Sequence, residues 1–168
     1  MKLGFDISLN ENPYLSKNEM ESFFISEIFL ILKSKLESEG HTIVDCSPKN
    51  ALSDGELYHK KLINAIRNNL DLFISLNFNV TKEKEYIKIF YNHKCREELV
   101  KNFEYSINKL PVDVINKKES EELYILKNYP GPCIVLNIFL FEKDLIYNKI
   151  LLKTISNTIY KGLINAKL

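Results

Sequence analysis

Residues 71–79, Asp71-Leu72-Phe73-Ile74-Ser75-Leu76-Asn77-Phe78-Asn79, restrict the fold more than any other stretch of the chain. A half-exposed strand would alternate apolar and polar residues. This run is apolar at both parities, is entered from a helical segment, and leaves into polar residues. It reads as a strand covered on both faces, the kind found in α/β sheets. In such sheets ligands bind beyond the C-terminal ends of the strands. Asn77, closing the run, therefore stands where chemistry is expected.

The flanking pattern extends the same architecture. Residues 2–7 read as a first strand. Ser16-Lys17-Asn18-Glu19 fits the S-x-x-E capping box, which places a helix start near Ser16. That helix runs to about Glu39 and stops at Gly40, a residue suited to the left-handed position after a helix. Phe24, Ile28, Ile31, Leu32 and Leu36 recur at helical spacing, while Phe23 and Leu30 fall on the other side, so the helix is either deeply packed or carries a second, partner-facing stripe. Residues 41–45 form a short strand and 56–69 a helix with Leu57, Leu62 and Ala65 inside. Residues 86–90 alternate as a strand. Residues 97–109 form a helix on Leu99, Phe103 and Ile107. Short strands are predicted at 112–115 and 123–126, a longer one at 133–139 after a Pro-Gly-Pro turn, and a last helix over 144–164. Strands alternating with helices predict one α/β domain over residues 1–168, with a mostly parallel twisted sheet of about six strands and helices on both faces.

Composition narrows the function. Of 168 residues, 23 are Lys or Arg and 22 Asp or Glu, so the basic excess of a dedicated nucleic-acid binder is missing. No apolar run reaches the roughly 20 residues of a membrane-spanning helix, and no hydrophobic signal core precedes the first strand. The expected location is cytoplasmic as synthesised, with cell-wall association left open. Cys46, Cys95 and Cys133 are far apart and odd in number, which predicts reduced, mostly buried thiols. His41, His59 and His93 form no pair at metal-ligand spacing. The charged stretches 81–85 and 117–122 read as solvated turns.

Several segments, in order, resemble the zinc-dependent N-acetylmuramoyl-L-alanine amidases, including the catalytic domains of phage endolysins. They are Gly40-His41-Thr42-Ile43-Val44, residues 71–79, Leu123-Tyr124-Ile125-Leu126-Lys127-Asn128 and Pro132-Cys133-Ile134-Val135-Leu136-Asn137. The stretch from Phe139 to Asp144 completes the set. The resemblance implies a zinc held by a histidine, a helix glutamate and a second histidine, with another glutamate as general base. It aligns these four with Leu9, Glu21, Asn77 and Asn137.

Only Glu21 keeps the family chemistry. Leu9 has no donor atom, and the neutral Asn77 amide is a poor substitute for imidazole on zinc. Without the metal, water keeps its high pKa, and Asn137 cannot accept a proton. No cofactor is then expected. Glu21 reads either as a remnant ligand facing the old cleft or as a carboxylate stabilised by the helix dipole. Asn77 and Asn137 read either as amides filling a former metal cavity or, with Glu21, as a neutral-to-acidic pocket that binds a peptide or sugar without cutting it, with Asn10 a further binding candidate. The favoured function is a catalytically inactive amidase relative that binds peptidoglycan fragments or a protein partner such as an active amidase. The alternatives are an active peptidoglycan hydrolase with a rearranged metal site, and a structural, homodimeric protein without a ligand.

Overall fold

The computed structural model describes residues 1–7, 19–110, 112–118, 123–141 and 149–164. Six strands form one sheet: β1 (Lys2–Asp6), β2 (Thr42–Asp45), β3 (Leu72–Thr81), β4 (Tyr86–Tyr91), β5 (Asp113–Lys118) and β6 (Cys133–Phe141). Five helices are described: α1 (Glu19–Ser38), α2 (Asp54–Arg67), α3 (Glu97–Ile107), α4 (Tyr124–Asn128) and α5 (Lys149–Ile164). The strand order is β2-β1-β3-β6-β4-β5. All neighbours are parallel except β4 and β6, which run antiparallel. The expected fold class, a mostly parallel α/β sheet with helices on both faces, is the one observed.

Burial explains why the central strand lacks alternation. Leu72, Ile74, Leu76 and Phe78 face a core shared with α1, α3 and α5, whereas Phe73 faces a second core with α2 and α4. Phe24 of α1 meets Phe78 with ring centroids 4.8 Å apart, and Phe73 meets Tyr129 at 5.3 Å. On the larger side, Gly162 lets α5 lie against α3, since a Cβ there would stand 2.8 Å from the Phe103 ring.

Helix ends follow local chemistry. Gly40, at φ 81°, ends α1, with His41 N–H donating to Leu36 O at 3.1 Å and Gly40 N–H to Glu37 O at 3.0 Å. These two bonds are the Schellman pair. Helix α2 begins two residues before the sequence-based start, because Ser53 accepts from the Glu56 N–H at 3.2 Å. Glu56 in turn reaches back to the Leu52 N–H at 2.7 Å. The Ser16 capping box lies outside the described residues. No described helix is long and apolar enough to cross a membrane.

Three expectations need correction. The first is the solvated turn over 117–122, whose Lys117 and Lys118 are the last residues of β5 and pair with Phe90 and Tyr91. Residues 124–128 are helical, not a strand. Ile125, Leu126 and Tyr129 enter the smaller core while Tyr124, Lys127 and Asn128 are exposed, a spacing that one helical turn satisfies and a strand does not. The stretch 81–85 is also more than a solvated turn. Thr81 still belongs to β3, and Glu85 accepts the Phe141 N–H at 2.9 Å.

The three cysteines are free, with Cys46 and Cys133 buried and Cys95 half-buried. Burial, reinforced by Asp6 and Asp45, pushes the Cys46 thiol up from 9.0 to about 12. Burial pushes Cys95 up to about 11 and Cys133 well above the ordinary value. Thiolate is the reactive form, so at pH 8 a chromogenic disulfide reagent should label none of the three until denaturant is added. Rapid labelling of native protein would contradict these environments. The folded state holds these protons more tightly than the unfolded chain does. Their contribution to stability is therefore complete below pH 9 and is lost as pH climbs toward about 12.

Candidate functional site

Strands β3 and β6 pair in register from Phe73 with Cys133 to Thr81 with Phe141, which sets Asn77 beside Asn137. The two carboxamides meet directly. Asn77 Nδ2 donates to Asn137 Oδ1 at 2.9 Å. Both residues are half-buried and share the sheet face of Phe73 and Val135, the side covered by α2 and α4. The central strand, expected over residues 71–78, runs on to Thr81. Beyond Asn77 and Asn137, β3 and β6 continue together for four more residue pairs, because Phe78, Ile138 and Leu140 still bury apolar side chains on the other face.

It is β1 that stops. Its last paired residue, Asp6, lies beside Ser75, and among the described residues no strand flanks the upper half of β3 on that edge. Glu21 occupies the gap from the first turn of α1, its Oε1 accepting the Val80 N–H at 2.7 Å. This charge-assisted bond satisfies a backbone donor that no described strand pairs with. Ile25, Ile28 and Leu32, the residues sharing its helical stripe, are fully buried.

One residue pair deeper, beneath Asn77, lies a polar cluster that the sequence did not single out. Asp6 Oδ2 accepts from Ser75 Oγ at 2.8 Å and from Lys61 Nζ at 2.8 Å. The side chains of Lys61 and Asp6 are 3% and 0% exposed. A signal for this was available: Lys61 sits four residues after Leu57 and four before Ala65, on the apolar stripe of α2.

A second overlooked group completes the row of amides. Lys88 of β4 is the register partner of Asn137, and Tyr86 is the partner of Phe139. The Tyr86 and Phe139 rings stack with centroids 4.3 Å apart. Lys88 Nζ lies 5.2 Å from the Tyr86 centroid and 6.0 Å from that of Phe139. The alternation in residues 86–90 had put Tyr86, Lys88 and Phe90 on one face. It could not say which face, or what lay opposite.

The three histidines are not part of this row. Leu9 and Asn10 lie outside the described residues. His41 precedes β2 and His93 follows β4, at the end of the sheet opposite to Asn77, and His59 is on the exposed side of α2. Among the described residues, no three His, Cys, Asp or Glu side chains are grouped so that they could hold a metal ion.

By sequence, no family model and no curated protein matches. Solved structures do match across nearly the whole chain. The CwlD amidase from Clostridioides difficile, solved in complex with the GerS lipoprotein, is 20% identical with a TM-score of 0.67, covering 96% of this chain and 95% of CwlD. The catalytic domain of CwlV, an N-acetylmuramoyl-L-alanine amidase from Bacillus (Paenibacillus) polymyxa var. colistinus, is 11% identical at a TM-score of 0.75, covering 96% and 94%. The fold is that of the N-acetylmuramoyl-L-alanine amidases. The catalytic domain of the CD27L endolysin repeats this amidase fold at 18% identity and a TM-score of 0.73, covering 98% of this chain and 97% of its own. The resemblance first carried by short sequence segments thus extends to the whole amidase architecture.

Proposed function

We propose that this chain is a non-catalytic relative of the cell-wall amidases, which keeps their cleft to bind rather than to cut. One observation carries this: Asn77 and Asn137 are hydrogen-bonded to each other at 2.9 Å. The resemblance aligns these positions with a zinc-binding histidine and the general-base glutamate. Two neutral amides joined in this way neither generate a metal-bound hydroxide nor take up a proton.

The donor set does not suit a catalytic zinc. Leu9 offers no ligand atom, Glu21 binds the Val80 N–H, and the described residues group no metal-binding trio. The module's ligand is a peptidoglycan fragment or a protein partner. On α1, Phe23 and Leu30 are 61% and 55% exposed, which supports a protein partner on that face, and CwlD was solved with the GerS lipoprotein.

The test is the zinc content of the purified protein, measured beside hydrolysis of purified cell walls. We expect neither stoichiometric zinc nor release of the amide-linked peptide. Near-stoichiometric zinc with amide cleavage would overturn the proposal. The combined change Leu9→His, Asn77→His and Asn137→Glu should restore zinc binding, and its failure would count against the aligned positions.

A further inference from the structure

We propose, on the footing of that non-catalytic reading, that the row Asn77–Asn137–Lys88 is an anion site whose ligand is a carboxylate carried on a small apolar group. In the amidase pattern the positions of Asn77 and Asn137 carry an imidazole that holds the zinc and a carboxylate that acts as general base. Here the same positions carry two amides, and the next strand adds an ammonium group. The charge preference of the cleft is inverted.

The geometry is specific. Asn137 is the register partner of Asn77 on one side and of Lys88 on the other, so the three side chains form one line across β3, β6 and β4. Neighbouring strands stand roughly 5 Å apart. The Asn137 carboxamide uses its oxygen to accept from Asn77, which leaves its Nδ2 donors without an acceptor among the described residues. Lys88 Nζ likewise has no carboxylate partner among them.

Asn137 and Lys88, half-buried register neighbours on one sheet face, thus carry an amide and an ammonium donor with no acceptor among the described residues. A carboxylate presents two acceptor oxygens to such a pair, and a charge-assisted bond there is stronger than a neutral one. The stacked Tyr86 and Phe139 rings lie against the Lys88 ammonium and offer a wall for the group bearing the carboxylate. A single ammonium balances a monoanion. A phosphate dianion would call for more positive charge than this row holds.

The test uses N-acetyl-L-alanine and its neutral primary amide, titrated into the full chain and followed by the backbone and side-chain amide resonances. The acid should shift the Asn137 side-chain NH2 signals and bind at least about tenfold more tightly than the amide, the loss expected when a charged hydrogen bond is removed. Lys88→Met should abolish that preference, and Lys88→Arg should retain it. A native backbone spectrum of each variant separates loss of the site from loss of the fold.

Equal binding of acid and amide, no shift with the acid, or a preference that survives Lys88→Met would each overturn the anion site. Tighter binding of inorganic phosphate than of the carboxylate would overturn the ligand class. Zinc content and cell-wall hydrolysis are read separately. An active zinc enzyme would defeat the non-catalytic reading on its own evidence, whereas a zinc-free protein indifferent to carboxylates would defeat only the anion site.

Discussion

Replacing Lys61 with methionine is expected to destabilise the protein by about 3–5 kcal/mol, the usual effect of leaving one charge of a buried pair without its partner. Asp6 is fully buried and accepts from Lys61 and Ser75 at 2.8 Å each. Methionine preserves most of the lysine stem's packing, so the loss reports the charge and not the volume. Asp6→Asn alone should also be costly, because it leaves the Lys61 ammonium buried opposite a neutral amide. The double variant should lose less than the sum of the two, since both charges are then gone together. Urea denaturation of the four proteins measures this cycle. Additive losses would mean that the Lys61–Asp6 contact contributes little.

Phe78→Ala is expected to cost about 3–5 kcal/mol, as large-to-small changes in a well-packed core do. Phe78 is fully buried, stacks on Phe24 of α1, and lies between Asn77 and Asn79 on the opposite face of the same strand. It fastens the upper half of β3 to the helix that carries Glu21. The cavity should therefore weaken the Glu21–Val80 bond as well. Hydrogen exchange at the Val80 amide would rise by more than the fall in global stability accounts for. If exchange at Val80 only followed global stability, Phe78 would be a packing residue with no local hold on the site. The denaturation midpoint and exchange rates on one sample decide between these.

Much of the fold was legible because burial leaves periodic marks. The doubly covered β3 run, the stripe of α1 and its stop at Gly40 all match the structure within a few residues. Residues 123–126 misled because a short apolar run fits a strand or a helical turn equally well. Only the descent of Ile125, Leu126 and Tyr129 into one core distinguishes them. The ends of β3 and β6 were also drawn short. Asn79 to Thr81 and Leu140 to Phe141 fall beyond the expected strand ends until the two strands are seen to pair there.

Sequence alone determined which chemical groups stand at the four positions that the resemblance aligns with the amidase site: a leucine at position 9, amides at 77 and 137, and a carboxylate at 21. No arrangement of the backbone changes that donor chemistry. The tertiary structure decided where those groups point and what stands beside them. It joined the Asn77 and Asn137 amides, directed Glu21 to a backbone N–H, buried Lys61 against Asp6, and set Lys88 next to Asn137. The reason is register. A strand's own pattern says which residues share a face, but which residue on the neighbouring strand lies opposite is fixed by packing and pairing over distances of 50 residues and more along the chain. The amide row with its lysine is a product of that register, and no single segment contains it.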